Sequence, residues 1–213
     1  MSNESLIETL VGELRPVRRR NPLRQGACLF GLAAIELAAF LALGTMRPDI
    51  GAAMSVTAFW WKLGSLAILA ITGTFVAIQS FEPSASPRRG LRLWATLAVV
   101  TLLLGWVIDL SSAGLQVLLD RLSWQMGVEC LATMTALSIP PLIALGILMR
   151  SGAPTDGSGS ALAAGAGAAT WGAFVFAFHC PSDDPFYIVV WYCLGCAIVV
   201  GLARLILPRV ARW

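Results

Sequence analysis

Residues 58–79 of the chain read AFWWKLGSLAILAITGTFVAIQ, an apolar run that contains one charged residue, Lys62. A helix of about 20 residues crosses the roughly 30 Å hydrocarbon core of a bilayer, so this run is long enough to span it. The run shows no alternation with a period of two, and a backbone in lipid must satisfy its own hydrogen bonds. It is therefore predicted to form a transmembrane helix.

Five more runs of the same kind lie on either side of it. Of the 213 residues, 57% are hydrophobic and 13% are charged, whereas soluble domains carry about 25% charged residues. We therefore expect an all-α fold, a six-helix transmembrane bundle without a separate soluble domain. The small residues Gly165, Gly167, Ala168 and Gly172 are expected to allow close helix packing. The predicted spans are Gly26–Thr45, Ala58–Gln79, Leu91–Leu110, Val128–Met149, Ala161–Phe178 and Tyr187–Leu207.

The basic residues predict which ends of these helices face the cytoplasm. If the N-terminus is cytoplasmic, twelve of the 15 basic residues fall in the tail or in inner segments, and only Arg47, Lys62 and Arg121 fall outside. Basic residues in short loops favour the cytoplasmic side. We therefore expect a multi-pass protein of a bacterial inner membrane with both termini cytoplasmic. This topology accounts for the net charge of +3, which is then poor support for direct nucleic-acid binding.

Residues 1–25 are predicted to form a cytoplasmic tail ahead of a membrane domain, residues 26–213. They lack the apolar core and cleavage site of a signal peptide. Ser5 and Glu8 have capping-box spacing, and apolar residues recur at helical spacing until Pro16. We expect a short amphipathic helix that either binds a groove of a cytoplasmic partner or lies on the lipid of the inner leaflet. Its apolar residues are Leu6, Ile7, Leu10, Val11 and Leu14.

Two of the five cysteines are predicted to lie at one depth on the outer side. Cys130 opens the fourth span and Cys180 follows the fifth. This side of the membrane is oxidising, so the two thiols could form a reversible disulfide or jointly bind a soft metal. Cys28, Cys193 and Cys196 fall inside spans, where thiols behave as small hydrophobic residues.

Polar residues lie next to both outer thiols. Together with the thiols they could complete a sensing site or a metal site. Alternatively, residues 180–185, which are rich in proline and aspartate, form a turn that caps the sixth helix. The residues concerned are Glu129, His179, Asp183 and Asp184.

Glu36 lies in the middle of the first span, where a carboxylate is costly and is a functional candidate by default. It could serve a small transporter, or it could be protonated and bonded to a neighbouring helix through a residue such as Thr72. A membrane thiol-disulfide oxidoreductase is another alternative, which would need a second cysteine pair at an accessible depth.

Several short motifs coincide along the chain. A cysteine opens the fourth span, and the most specific element is His-Cys-Pro-Ser-Asp-Asp-Pro at residues 179–185, followed by Trp191 and Tyr192. The others are Leu-Arg-Pro-Val at 14–17, Arg-Ser-Gly-Ala-Pro at 150–154 and Leu-Pro-Arg-Val-Ala-Arg-Trp at 207–213. With six helices, this pattern resembles the NrsF-type family of bacterial integral-membrane anti-sigma factors, from about residue 5 to the C-terminus.

The resemblance implies a regulator rather than an enzyme. It implies that the protein holds an extracytoplasmic-function (ECF) sigma factor inactive at the membrane and releases it under stress from heavy metals or oxidants. Cys130 and Cys180 match the functional cysteine pair of the family. The sigma-binding region matches the helix from Leu6 to Val17, including Pro16. No cofactor is expected beyond transient binding of a soft metal.

Overall fold

A computed structural model describes residues 21–108 and 121–211, together with Glu4, Ile7, Val11 and Gly12. All regular secondary structure in these residues is helical, which confirms the all-α prediction. Six of the helices are long and apolar enough to cross a membrane. The helices are α1 (Pro22–Ala42), a short α2 (Ile50–Ala53), α3 (Thr57–Ser80), α4 (Pro87–Ile108), α5 (Trp124–Gly152), α6 (Gly157–Phe176) and α7 (Pro185–Val210).

Polar side chains define where three of the spanning helices begin. Asn21 accepts a hydrogen bond from the backbone nitrogen of Arg24 at 3.2 Å, and Asp156 accepts one from that of Gly159 at 2.9 Å. At the start of α7, the side chain of Asp184 accepts a hydrogen bond from the backbone nitrogen of Phe186. These caps satisfy backbone N–H groups that have no partner within the helix. Each spanning helix begins before its predicted start, because these first turns are polar and hydropathy alone does not include them.

Helix α6 is the centre of the bundle and packs against α3, α5 and α7. Its small residues allow the backbones to approach closely. A Cβ atom added at Gly167 would lie 2.9 Å from the backbone nitrogen of Thr74 in α3, and one at Gly165 would lie 2.7 Å from the Cβ of Ala203 in α7. The predicted role of this small-residue run is confirmed.

The bundle has two ends with different chemistry. At one end, the backbone nitrogen of Arg47 donates to the carbonyl of Phe178 at 3.1 Å, so the loops after α1 and α6 meet. We call this the cysteine end. At the other, the terminal end, the hydroxyl of Ser160 donates to the carbonyl of Ser80 at 2.9 Å. Because six spans alternate in direction, α1 begins and α7 ends at the terminal end.

Helix α1 is the most weakly attached span. Among its residues only Leu29 is buried, whereas most of α6 is buried. Ahead of α1, Ile7 and Val11 have helical backbone and expose 58% and 60% of their surface. The other residues predicted to bind a partner, Leu6, Leu10, Leu14, Pro16 and Val17, lie outside the described residues.

Candidate functional site

Cys130 and Cys180 lie in the same cavity at the cysteine end. Cys130 is in the second turn of α5, and Cys180 is four residues past the end of α6. Both carry free thiols and are only 1% and 2% exposed. They line a cavity of about 370 Å³ and belong to one cluster of buried side chains. The structure therefore brings together two thiols that are fifty residues apart in sequence.

Sulfur and phenol groups surround the thiols. The Sγ of Cys130 lies 3.6 Å from the Sδ of Met134, one turn further along α5. The Tyr187 phenol lies beside Cys130. The hydroxyl of Tyr192 is buried near both thiols and has no hydrogen-bond partner of normal geometry among the described residues. Tyr187 lines the thiol cavity, whereas Tyr192 lines the neighbouring cavity between α3, α4 and α7.

An ion-pair clamp holds the segment that carries Cys180. Asp183 accepts hydrogen bonds at 2.7 Å from both Arg47 and Lys62, whose side chains are 4% and 0% exposed. Lys62 also donates to the carbonyl of Ser182 at 3.0 Å, and Arg47 donates to the carbonyl of Cys180 at 3.2 Å. The segment therefore cannot move without breaking interactions with cations from the α1–α2 loop and from α3.

A second pair completes the clamp. Arg121 binds the carboxylate of Asp184 and lies 5.6 Å from the ring centre of Phe186. The same carboxylate accepts from the backbone nitrogen of Phe186 at 3.0 Å, so Asp184 also caps α7. We use "clamp" for these six residues: Arg47, Asp49, Lys62, Arg121, Asp183 and Asp184.

Asp49 is the exposed member of the clamp. Arg47 binds it through two nitrogens, each at 2.7 Å. These hydrogen bonds lower the pKa of Asp49 from 3.8 to about 2, and its carboxylate raises the pKa of Arg47. A depressed carboxyl pKa means that the pair stabilises the fold above about pH 4, and that this contribution is lost as the pH falls toward 2. The pair therefore stays charged at neutral pH.

The predicted neighbours of the thiols divide into two groups. Glu129 and His179 line the thiol cavity. The Nδ1 of His179 also contacts the carbonyl of Thr45, and its ring stands against Phe40 at the end of α1. Asp183 and Asp184 instead bind the basic residues of the clamp. Within the described parts of the chain, no three His, Cys, Asp or Glu side chains are grouped as a metal site.

The structural role of the three outer basic residues was not predicted from the sequence, where they indicated only topology. Arg47, Lys62 and Arg121 all bind the Asp183–Asp184 segment. Lys62 carried a usable signal, because a lysine inside an apolar span requires a counter-charge. What the sequence did not indicate was the partner, since Lys62 and Asp183 are 121 residues apart.

Glu36 and the remaining cysteines lie away from the thiol cavity. The Nε1 of Trp171 in α6 donates to Glu36 at 2.9 Å. The suggestion of Thr72 as its partner was wrong, because the hydroxyl of Thr72 bonds carbonyls of its own helix. Cys193 and Cys196 line a different cavity between α3, α4 and α7.

The six spans are those of a small polytopic membrane protein. Among the described residues, its buried ion pairs lie at the cysteine end, next to the thiol cavity. A family model described as "Negative regulator of sigma F" (NrsF) matches residues 10–213. The chain therefore belongs to this family of anti-sigma factors. Membership makes it a regulatory protein with a sigma factor as its partner, and it confirms the resemblance found in the sequence.

Two relatives align over nearly their whole lengths. The anti-sigma-F factor NrsF of Caulobacter vibrioides is 27% identical, over 95% of this chain and 94% of the relative. The probable anti-sigma-F factor NrsF of Azospira oryzae is 28% identical, over 100% of both chains. No solved structure matches the chain.

Proposed function

We propose that this protein holds an ECF sigma factor inactive at the bacterial inner membrane and releases it when a thiol-reactive stress modifies Cys130 and Cys180. The observation that carries this proposal is the shared cavity. Two free, buried thiols from distant parts of the chain line it, at the end of the bundle opposite the tail. An input at one end and an output at the other are what a membrane-bound regulator requires.

The distribution of basic residues supports a periplasmic position for the cysteine end. The tail and the helix turns at the terminal end contain twelve of the 15 basic residues, as the positive-inside rule expects of the cytoplasmic side. The three basic residues at the cysteine end are all paired with aspartates. They are structural charges, so they do not weaken this assignment. In this orientation both termini are cytoplasmic.

Two chemical events at the thiols fit the cavity. Hydrogen peroxide can take two electrons from the pair, so that one S–S bond forms, the O–O bond breaks and the two thiol protons leave in two water molecules. Alternatively, both thiols lose their protons and bind one soft cation between them. Either event fixes the separation of the two sulfurs and so constrains the position of α5 relative to the segment carrying Cys180.

The clamp provides a route from this segment to α1. Arg47, which follows α1, binds both the carbonyl of Cys180 and the carboxylate of Asp183. Because α1 buries only Leu29, movement of Arg47 meets little resistance from packing along the helix. Helix α1 continues from the tail, whose exposed Ile7 and Val11 supply an apolar surface for the sigma factor. Modification at the thiols then changes the affinity of the tail for its partner.

A sigma-dependent reporter in cells that express the full-length protein tests the input. Cys130→Ser and Cys180→Ser are each expected to abolish induction by cadmium or peroxide, because neither variant can form the disulfide or bind a cation with two thiolates. Cys193→Ser is the matched control, since this cysteine lies in a different cavity. Full induction of either Cys130→Ser or Cys180→Ser would show that the thiols are not the sensor.

The same reporter tests the output. Val11→Asp places a charge on the apolar surface of the tail, so the reporter should be active without stress. The purified full-length variant should no longer capture the sigma factor. Glu4→Gln changes a polar, exposed tail residue and should behave as the wild type. Capture of the sigma factor by Val11→Asp at wild-type affinity would contradict the assignment of the tail.

A further inference from the structure

The sulfur of Met134 lies beside the Cys130 thiol, in the buried cluster that also contains Cys180. Met134 follows Cys130 by one helical turn, so both side chains lie on the same face of α5, and their sulfurs are 3.6 Å apart. Met134 is 1% exposed and belongs to the same buried cluster as Cys130 and Cys180. A thioether in this position is a neutral, soft ligand next to the Cys130 thiol and in the same buried cluster as Cys180.

We propose that Cys130, Cys180 and Met134 form a three-sulfur site for a monovalent soft cation, Cu(I) or Ag(I). This inference rests on the proposed function and names the class of ligand that the sensor binds. Cation binding forms two metal–thiolate bonds and one dative bond from the thioether. Both thiol protons leave to water, and no electrons are transferred.

The available ligands favour Cu(I) and Ag(I) over zinc. Zinc in proteins takes four ligands from Cys, His and carboxylates, and no group of three such side chains occurs in the described residues. The nearby carboxylates of Asp183 and Asp184 are bound to the clamp cations. Thiolates and thioethers together select Cu(I). Glu129 and His179 also line the cavity, but they do not group with the thiols into a site of three such ligands among the described residues.

The surrounding charges and hydrogen-bond donors are consistent with a monovalent ion. Two thiolates with one monovalent cation leave a net charge of −1, and the ammonium of Lys62 is the positive charge that acts on Cys130. Among the described residues, the buried hydroxyl of Tyr192 has no hydrogen-bond partner of normal geometry, and it can donate to a metal-bound thiolate. Lys62 is also paired with Asp183, so it offsets only part of this charge, and Tyr192 offers a hydrogen-bond donor.

Competition for Cu(I) with a chromophoric chelator, using full-length protein in detergent, measures the affinity. Met134→Leu preserves the volume of the side chain and removes the sulfur. It should lower Cu(I) affinity by at least about tenfold, since loss of even an outer-shell partner costs 10–100-fold. Met149→Leu is the matched control, because Met149 is on the same helix and equally buried at 1% exposure, but lies at the terminal end.

Selenomethionine labelling tests whether copper is bonded to the side chain of Met134, and the labelled wild-type protein needs no substitution that could disturb folding. The copper X-ray absorption spectrum of the labelled wild-type protein should contain Cu–Se scattering, which Met134→Leu removes and Met149→Leu retains. Absence of Cu–Se scattering, or wild-type Cu(I) affinity in Met134→Leu, would overturn the third-ligand assignment.

Disulfide formation and reporter induction distinguish a failure of the Met134 assignment from a failure of the proposed thiol sensor. Peroxide-driven disulfide formation needs only the two cysteines, so Met134→Leu should form the disulfide as the wild type does. If Met134→Leu bound Cu(I) normally while Cys130→Ser still blocked induction, the Met134 inference would fail and the sensor would stand. If Cys130→Ser were fully induced, the proposed function would fail instead.

Discussion

At the scale of single residues, the buried charge of Lys62 determines much of the cysteine end. Its ammonium is 0% exposed and has a carboxylate oxygen of Asp183 at 2.7 Å. A buried charge without a partner is far more costly than a paired one, so the pair fixes the position of the Asp183 segment. Arg47 adds a second buried cation on the same carboxylate. Asp183 therefore serves two cations, and Cys180 is held three residues away from it.

Asp183→Asn should destabilise the protein much more than Asp49→Asn. The first change leaves two buried cations without their shared charge, and breaking a buried pair in this way costs about 3–5 kcal/mol. Asp49 is 53% exposed at its side chain, so its loss should have a small effect. Both aspartates bind Arg47, which makes Asp49→Asn a matched control. Thermal unfolding in detergent, followed by tryptophan fluorescence, measures the difference, and equal shifts for the two variants would contradict the argument.

At the scale of helices, the sequence predicted all six spans but placed their starts too late. Uninterrupted apolar runs identify membrane helices because length and hydropathy suffice for this. The polar first turns do not follow from hydropathy, and Arg88 and Arg89 lie inside α4 although they read as loop residues. For the site, the sequence predicted that Cys130 and Cys180 lie at the same depth on the same side of the membrane. It did not predict that Asp183 and Asp184 would bind cations instead of facing the thiols, because such pairs depend on contacts between distant segments.

Gly167→Ala should destabilise the bundle, whereas Gly64→Ala should not. At Gly167 the new Cβ would lie 2.9 Å from the backbone of Thr74, which is not the flexible end of a side chain, and overpacking typically costs about 1–3 kcal/mol. Gly64 lies in α3 with nothing within 4 Å of an added Cβ, so alanine there should be neutral or slightly stabilising. Thermal unfolding of both variants in detergent checks this prediction. A stable Gly167→Ala would mean that α6 and α3 can separate at no cost.

At the scale of the whole molecule, the bundle combines a rigid centre with one weakly attached span. Helices α3, α5 and α7 pack around α6 through small residues and buried surfaces. Within helix α1, Leu29 packs into the buried core and Glu36 accepts a hydrogen bond from Trp171. Arg47 attaches the end next to the thiols, where it contacts the segment of Cys180. Under the proposed function, a local change at the cysteine end would move α1 relative to the core formed around α6.

Arg47→Gln should therefore activate the sigma-dependent reporter without stress, to about the level that stress produces in the wild type. The substitution removes the charge that attaches α1 to Asp183 and to the carbonyl of Cys180, so α1 adopts the released position without any thiol chemistry. Arg121→Gln is the informative comparison, because Arg121 binds Asp184 at the start of α7 and its loss leaves the attachment of α1 in place. Immunoblots of the membrane fraction must show equal amounts of both variants, since loss of the protein would also activate the reporter. A stable Arg47→Gln with basal reporter activity would mean that the signal crosses the membrane by a route other than α1.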